Sequence, residues 1–198
     1  MTFPDEALEF YEGLEADNSK AYWTAHREVY ERCVQAPMQS LLGALEPAFG
    51  PGSMFRPYRD VRFSRDKSPY KTHQGALVGD FYVQLSAAGV LVAGGYHATT
   101  PDQVERLRAA VADDVTGPAL ERVLDRLRDE GFAVEGERLK TRPRGYPADH
   151  PRIELLRFRT LVALRTLDGG GSVEEVRAAW RRLRPLTEWL DQHVGPPR

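Results

Sequence analysis

Sulfur is scarce in this chain of 198 residues, which holds one cysteine, Cys33, and three methionines. A single thiol excludes an internal disulfide and any multi-cysteine metal site. Cys33 falls at an apolar helical position, which points to the core rather than to a nucleophile. No apolar run approaches the roughly 20 residues of a membrane span, and the N-terminus lacks a basic stretch followed by an apolar one. No membrane association and a cytoplasmic location are therefore expected. A surplus of positive charge is also missing: the formal charge is −2. Phosphate-backbone affinity comes mainly from excess Lys and Arg, so a general nucleic-acid binder is not expected. There is no His-x-x-x-His pair, no Gly-x-Ser-x-Gly elbow and no complete phosphate loop, so the short motifs that name a reaction are absent.

What is present suits one soluble domain, 41% hydrophobic and 28% charged, long enough to bury a real core. Thr2-Phe3-Pro4 reads as a helix start with Pro4 at the first helical position, followed by an apolar face of Ala7, Phe10, Tyr11 and Leu14. Asn18 reads as the cap of a second helix bearing Tyr22, His26, Tyr30 and Cys33, and Met38, Leu41, Leu42 and Leu45 mark a third. Phe49-Gly50-Pro51-Gly52-Ser53 is a break. Leu77 to Ser86 and Val90 to Tyr96 read as strands joined by a hairpin at Ala87-Ala88-Gly89. Gly94-Gly95 is read as a bulge or a close backbone approach rather than a phosphate cradle. Helices follow from Thr100-Pro101-Asp102, with Val104, Leu107 and Val111 inward, and over Thr116 to Glu130, with Leu120, Val123, Leu124 and Leu127 inward and Gly131 as the stop. After an irregular, proline-broken loop at Leu139 to Pro151 come a strand from Leu161 to Leu167 and a Gly169-Gly170-Gly171 turn. A helix boxed by Ser172 and Glu175 closes the chain, with Pro185 interrupting it before Trp189. This order predicts an α+β fold in a single domain, 1–198, with a mainly antiparallel sheet. An N-terminal helical layer over 1–48 precedes an α+β body over 54–198, whose further helices pack on the sheet.

Charge is unevenly spread. Residues 56–73 hold six basic and two acidic side chains and residues 138–152 hold five and one, so each window carries +4 and the remainder −10. Such a chain can focus an anionic ligand locally without attracting long polyanions. In the first window Arg62 offers a bidentate fork, Lys67 and Lys71 point charges, and Ser64, Tyr70 and Thr72 hydroxyl donors, a mixture suited to phosphate or carboxylate. Asp66 can orient these cations. The alternative is a structural corner in which Asp66 pairs with Arg65 or Lys67 while Tyr70 packs and Pro69 fixes a turn. In the second window Lys140 and Arg144 repeat the offer, and a pocket shared by both windows is the expectation. Tyr70 and His150 are the candidates for moving a proton, His150 because an imidazole beside Asp149 can serve as acid or base near neutral pH. His73, His97, Asp149 and His150 lack paired ligand spacing, so no metal site is expected. His26, beside Trp23 and Arg27, reads as a packed or interface histidine, with lining of the pocket from the helical layer as the alternative.

The run Arg62-Phe63-Ser64-Arg65-Asp66-Lys67-Ser68-Pro69-Tyr70-Lys71-Thr72-His73 resembles the signature of a conserved-hypothetical family, a domain of unknown function found mainly in bacteria and fungi. Asn18 with Trp23, His26 and Arg27, and Gly94-Gly95-Tyr96 with Pro101, resemble further elements of that family. So do Leu139-Lys140, Pro143-Arg144-Gly145-Tyr146, Asp149-His150-Pro151 and Leu155-Leu156-Arg157. The likeness spans nearly the whole chain, and one departure, Arg65 where lysine is common, keeps the charge. It implies a single domain and brings neither an activity nor a cofactor.

Two classes of function fit these residues. One is an enzyme acting on a phosphorylated or otherwise anionic small molecule. Arg62, Lys67, Lys71 and Lys140 would hold the anion, and His150 or Tyr70 would move a proton. The other is a non-catalytic module in which the same cations recognise a nucleotide, a phosphorylated ligand or a nucleic-acid end. A purely structural cluster is the third reading, because 26 acidic residues lie outside the two windows. An enzyme should gather its polar groups in a concave pocket, whereas a module for a macromolecule should spread them over an open face.

Overall fold

Apolar residues at helical spacing organise the first fifty residues. In the computed structural model, which describes residues 2–62, 65–97 and 99–197, α1 (Asp5–Ala16) buries Ala7, Phe10, Tyr11 and Leu14 as their spacing predicts, with Pro4 as its N-cap. The cap of α2 (Lys20–Val29) is Ser19, whose Oγ accepts from the Tyr22 amide at 3.1 Å. Asn18, expected in that role, is used elsewhere. α2 then widens into a π-helical segment, Tyr30–Gln35, in which the Ala36 amide reaches the Glu31 carbonyl, before α3 (Ala36–Phe49) resumes α geometry. Such a segment inserts a residue into the 3.6-residue repeat. The buried set is accordingly Trp23, Tyr30, Cys33 and Val34, whereas Tyr22 and His26 are half-buried and stack on each other with centroids 4.0 Å apart.

The fold is α+β, with a six-stranded antiparallel sheet in the order β1-β2-β3-β4-β6-β5. Its strands are β1 (Gly52–Met54), β2 (His73–Val78), β3 (Phe81–Ser86), β4 (Gly89–Tyr96), β5 (Ala133–Glu135) and β6 (Leu161–Thr166). The stretch expected as one strand from Leu77 to Ser86 is two strands joined at Gly79-Asp80. Gly79 has φ +55°, and a Cβ there would lie 2.2 Å from the Phe49 carbonyl oxygen, so only glycine turns the chain at this point.

The chain sorts into two compact units, one running to Val92 with Thr166–Ala179, the other comprising Ala93–Arg165 and the residues from Trp180 onward. In the first unit α1 and α3 pack on β1, β2 and β3. Phe81, Val83 and Leu85 alternate inward along β3, and Phe49 meets Phe81 edge to face at 5.2 Å. Tyr30 Oη donates to Gln74 Oε1 at 2.7 Å. Gln74, almost fully buried in β2, spends its amide on the carbonyls of Phe55 and Gly75, so this buried polar group is fully matched.

In the second unit α4 (Pro101–Ala112) packs on α5 (Thr116–Asp129) and on the short α6 (Ile153–Leu156), and α5 on β5. Val104, Leu107, Val111, Leu120, Leu124 and Leu127 are buried as expected, while Val123 is only half-buried. Arg152, 6% exposed, donates to the carbonyls of Val111 at 2.7 Å and Ala112 at 3.0 Å. It thereby satisfies acceptors that the end of α4 leaves unpaired. α7 (Val173–His193) opens with the Ser172–Glu175 box and runs through Pro185, contrary to the expected interruption. The proline removes one helical bond, at a cost of about 3 kcal/mol. It sits on the exposed side, while burial of Leu183, Leu186, Trp189 and Leu190 on both flanks offsets the loss. Gly95, φ +125°, is the close approach expected of the Gly94-Gly95 pair, because a Cβ there would lie 2.4 Å from the Leu161 carbonyl oxygen. Gly95→Ala is expected to destabilise the protein by about 2 kcal/mol or more through strain and collision. Urea unfolding of the variant tests this, and an unchanged midpoint would contradict the close contact with β6.

Candidate functional site

The basic segment 55–72 is an excursion between two paired strands, since β1 and β2 are registered with Met54 opposite Ala76. Its two limbs stay together as a ribbon. Phe55 donates to the Gly75 carbonyl at 2.9 Å, Lys71 to that of Pro57 at 2.8 Å and Arg59 to that of Pro69 at 2.9 Å, around a Tyr58–Tyr70 bridge. The helical layer clamps the returning limb. Asn18 donates from Nδ2 to the Tyr70 carbonyl at 3.0 Å and accepts at Oδ1 from the Tyr70 amide at 3.1 Å, so its side chain acts as a short strand partner. Trp23 lies flat on the Tyr70 ring, centroids 4.3 Å apart and planes 6° from parallel. Tyr70 is buried, and that burial pushes its hydroxyl pKa up.

At the tip of the excursion the charges turn on one another. Arg62 forks onto Asp60 at 2.9 and 2.6 Å, Arg59 pairs with Asp66, and Lys67 donates to the Val61 carbonyl at 3.0 Å. Asp66 also accepts from the Ser68 amide at 2.9 Å and hydroxyl at 2.6 Å. Its partners are therefore Arg59 and Ser68, where the corner reading had Arg65 or Lys67. Ser64 lies outside the described residues. Lys71 stands over the Phe55 ring, 5.3 Å from its centroid, and Thr72 is half-buried just before β2. His73 opens β2, with its pKa lowered by burial and then by Lys71.

The second basic segment belongs to the other unit. Lys140 and Arg144 are exposed on the irregular loop, where the Lys140 carbonyl accepts from Arg157 at 3.0 Å. His150 is half-buried beside Tyr146, and its Nδ1 accepts from the Arg152 amide at 3.1 Å. That bond leaves Nε2 to carry the proton of the neutral ring, so the face His150 offers is a hydrogen-bond donor. His97 is exposed at the end of β4. Among the described residues, no group of three His, Cys, Asp or Glu side chains is placed to hold a metal ion, and no helix is long and apolar enough to cross a membrane.

A cleft of about 310 Å³ opens in the first unit, walled by Trp23, Arg27, Tyr30, Glu31 and Gln35 from α2 and the π-helical segment and by Met54 to Tyr58 from the excursion. Its volume is at the lower end of small-molecule sites. Arg27 and Glu31 pair along its helical wall, four residues apart, at 2.8 Å. Burial, followed by the nearby Tyr58 and Glu31, pushes the Tyr30 hydroxyl up to about 12, so it remains the donor to Gln74 at neutral pH. Arg56, Tyr58, Glu31 and Gln35 were not singled out by sequence reasoning. Arg56 and Tyr58 fall within the +4 window and had that signal, whereas the π-helical turn that presents Glu31 and Gln35 has no compositional mark.

An α+β chain with this antiparallel sheet and helical layer matches one family model over residues 6–189, and it belongs to that family, described as Conserved hypothetical protein (DUF2461). No curated protein and no solved structure matches it.

The Asp66 carboxyl is held well below the usual carboxylate range, first by the Ser68 hydroxyl and amide and then by Arg59. Because its folded pKa lies under the unfolded value of about 3.9, its stabilising contribution is full above that value and fades as pH falls through the folded pKa. Carboxyl NMR shifts are expected to show Asp66 still ionised at about pH 3, where an unperturbed aspartate is mostly protonated. The melting-temperature difference between wild type and Asp66→Asn is expected to narrow only below about pH 4. A titration midpoint near the ordinary value would contradict the tip geometry.

Proposed function

We propose that the protein binds a small anionic molecule at the cationic, aromatic-walled cleft of its first unit. The supporting observation is how the six cations of the 56–73 window divide, of which Arg65 is exposed, outside any ion pair among the described residues and not part of the cleft. Arg59 and Arg62 are neutralised by Asp66 and Asp60, and Lys67 is satisfied by a backbone carbonyl. Arg56 lines the cleft and Lys71 stands over its Phe55 wall, and neither has a carboxylate within ion-pair distance among the described residues. Arg56, whose charge is felt by Asp60 without a contact between them, and Lys71 can attract and orient an anion, Arg by a fork and Lys as a point charge. The surrounding negative charge opposes long polyanions, which favours a small ligand over nucleic acid.

Binding is favoured over catalysis. Tyr70 is buried, stacked on one face by Trp23 and clamped by Asn18, and a tyrosine whose pKa is raised by burial is a poor base at neutral pH. Lys140, Arg144 and His150 do not enter this reading. We place the protein in the cytoplasm, where its single buried thiol would stay reduced.

Titration calorimetry with inorganic phosphate and ribose 5-phosphate tests the proposal. Wild type is expected to bind the phosphate ester, with Arg56→Ala and Lys71→Ala each weakening binding about tenfold or more, the value of a charge-assisted contact. Arg62→Ala should leave it unchanged, because Asp60 already holds that fork. Absence of binding to wild type, or an Arg62→Ala loss equal to that of Arg56→Ala, would overturn it.

A further inference from the structure

Tyr58 is the one exposed aromatic among the described residues, 51% accessible, and it borders the same cleft. Its ring is tilted against both neighbours, 49° to Trp23 at 6.0 Å and 43° to Tyr70 at 5.5 Å, so neither covers it as Trp23 covers Tyr70. An exposed ring next to an aromatic stack costs apolar hydration in the free protein and is a platform on which a flat heterocycle can lie.

The opposite wall supplies in-plane hydrogen bonding. Glu31, whose Oε1 is held by Arg27, presents its other carboxylate oxygen, and the half-buried Gln35 presents an amide whose donor and acceptor make no side-chain bond among the described residues. A carboxylate accepts from ring or exocyclic N–H groups, and an amide can both give and accept along a base edge. Arg56, in the same cleft, supplies the cation for an anionic substituent. A stacking face, an edge reader and one cation outside any ion pair, Arg56, since Arg27 is paired with Glu31, in a space of about 310 Å³ match a base and its phosphate more closely than a sugar phosphate, which has no flat face.

We infer that the ligand of this cleft is a mononucleotide, with its base stacked on Tyr58, its edge read by Glu31 and Gln35, and its phosphate held by Arg56. The inference rests on the anion-binding reading above and adds the base. Wild type, Tyr58→Ala and Tyr58→Phe are compared by calorimetry with AMP, GMP and ribose 5-phosphate, after thermal melts confirm that each variant is folded. One or both nucleotides are expected to bind wild type about tenfold more tightly than ribose 5-phosphate, the value of one stacked base. Tyr58→Ala should erase that advantage and leave ribose 5-phosphate unchanged, while Tyr58→Phe should retain it. If ribose 5-phosphate binds as tightly as the nucleotides and Tyr58→Ala changes nothing, the base is wrong and the anion site stands. If no ligand binds wild type, both fall.

Discussion

The two hydrogen bonds between the Asn18 side chain and the Tyr70 backbone carry more of the first unit than their number suggests. An amide has one donor and one acceptor in one plane, the same pair that a strand offers its neighbour, so Asn18 can dock a loop onto a helical layer without a ladder. Once Tyr70 is held at both its amide and its carbonyl, its ring has a single place to lie, flat against Trp23. The partner limb is then fixed through the Tyr58–Tyr70 bridge. The basic excursion thus becomes a ribbon with a defined face, and the cleft exists because that face stands opposite the π-helical segment.

That segment is the second constraint. Tyr30 must reach Gln74 while Cys33 and Val34 remain in the core, and one widened turn meets both demands. π-turns are tolerated where packing over-determines them, and they recur at functional sites. Here the turn carries Tyr30, Glu31 and Gln35 to one wall of the cleft. The same turn that completes the core therefore shapes the candidate site.

Much of the fold is legible in the residues. The inward faces of α1, α3 and α4, the hairpin before Gly89, the stop at Gly131 and the Ser172 box each rest on a local rule that tertiary packing then agrees with. The misreadings share a cause. Asn18 and Ser19 are both good caps, and only the position of Tyr70 decides which is free to cap. Pro185 breaks an isolated helix but not one buried on either side of it. Apart from these misreadings, the two units divide inside β4, inside β6 and inside α7, so no linker composition marks them. Of the candidate site, the concentration of charge was visible at once, but which cations stay available was not, because Asp60 and Asp66 choose their partners by geometry rather than by adjacency.

By itself the sequence determined the class of fold, the family to which the chain belongs and the segment where positive charge collects. These depend on periodicity, turn chemistry and composition, all of which are local. Only the tertiary structure decided that Arg62 and Lys67 are consumed by their own loop while Arg56 and Tyr58 face open space. Pairing, burial and exposure are relations between residues far apart in the chain, and side-chain type alone does not carry them.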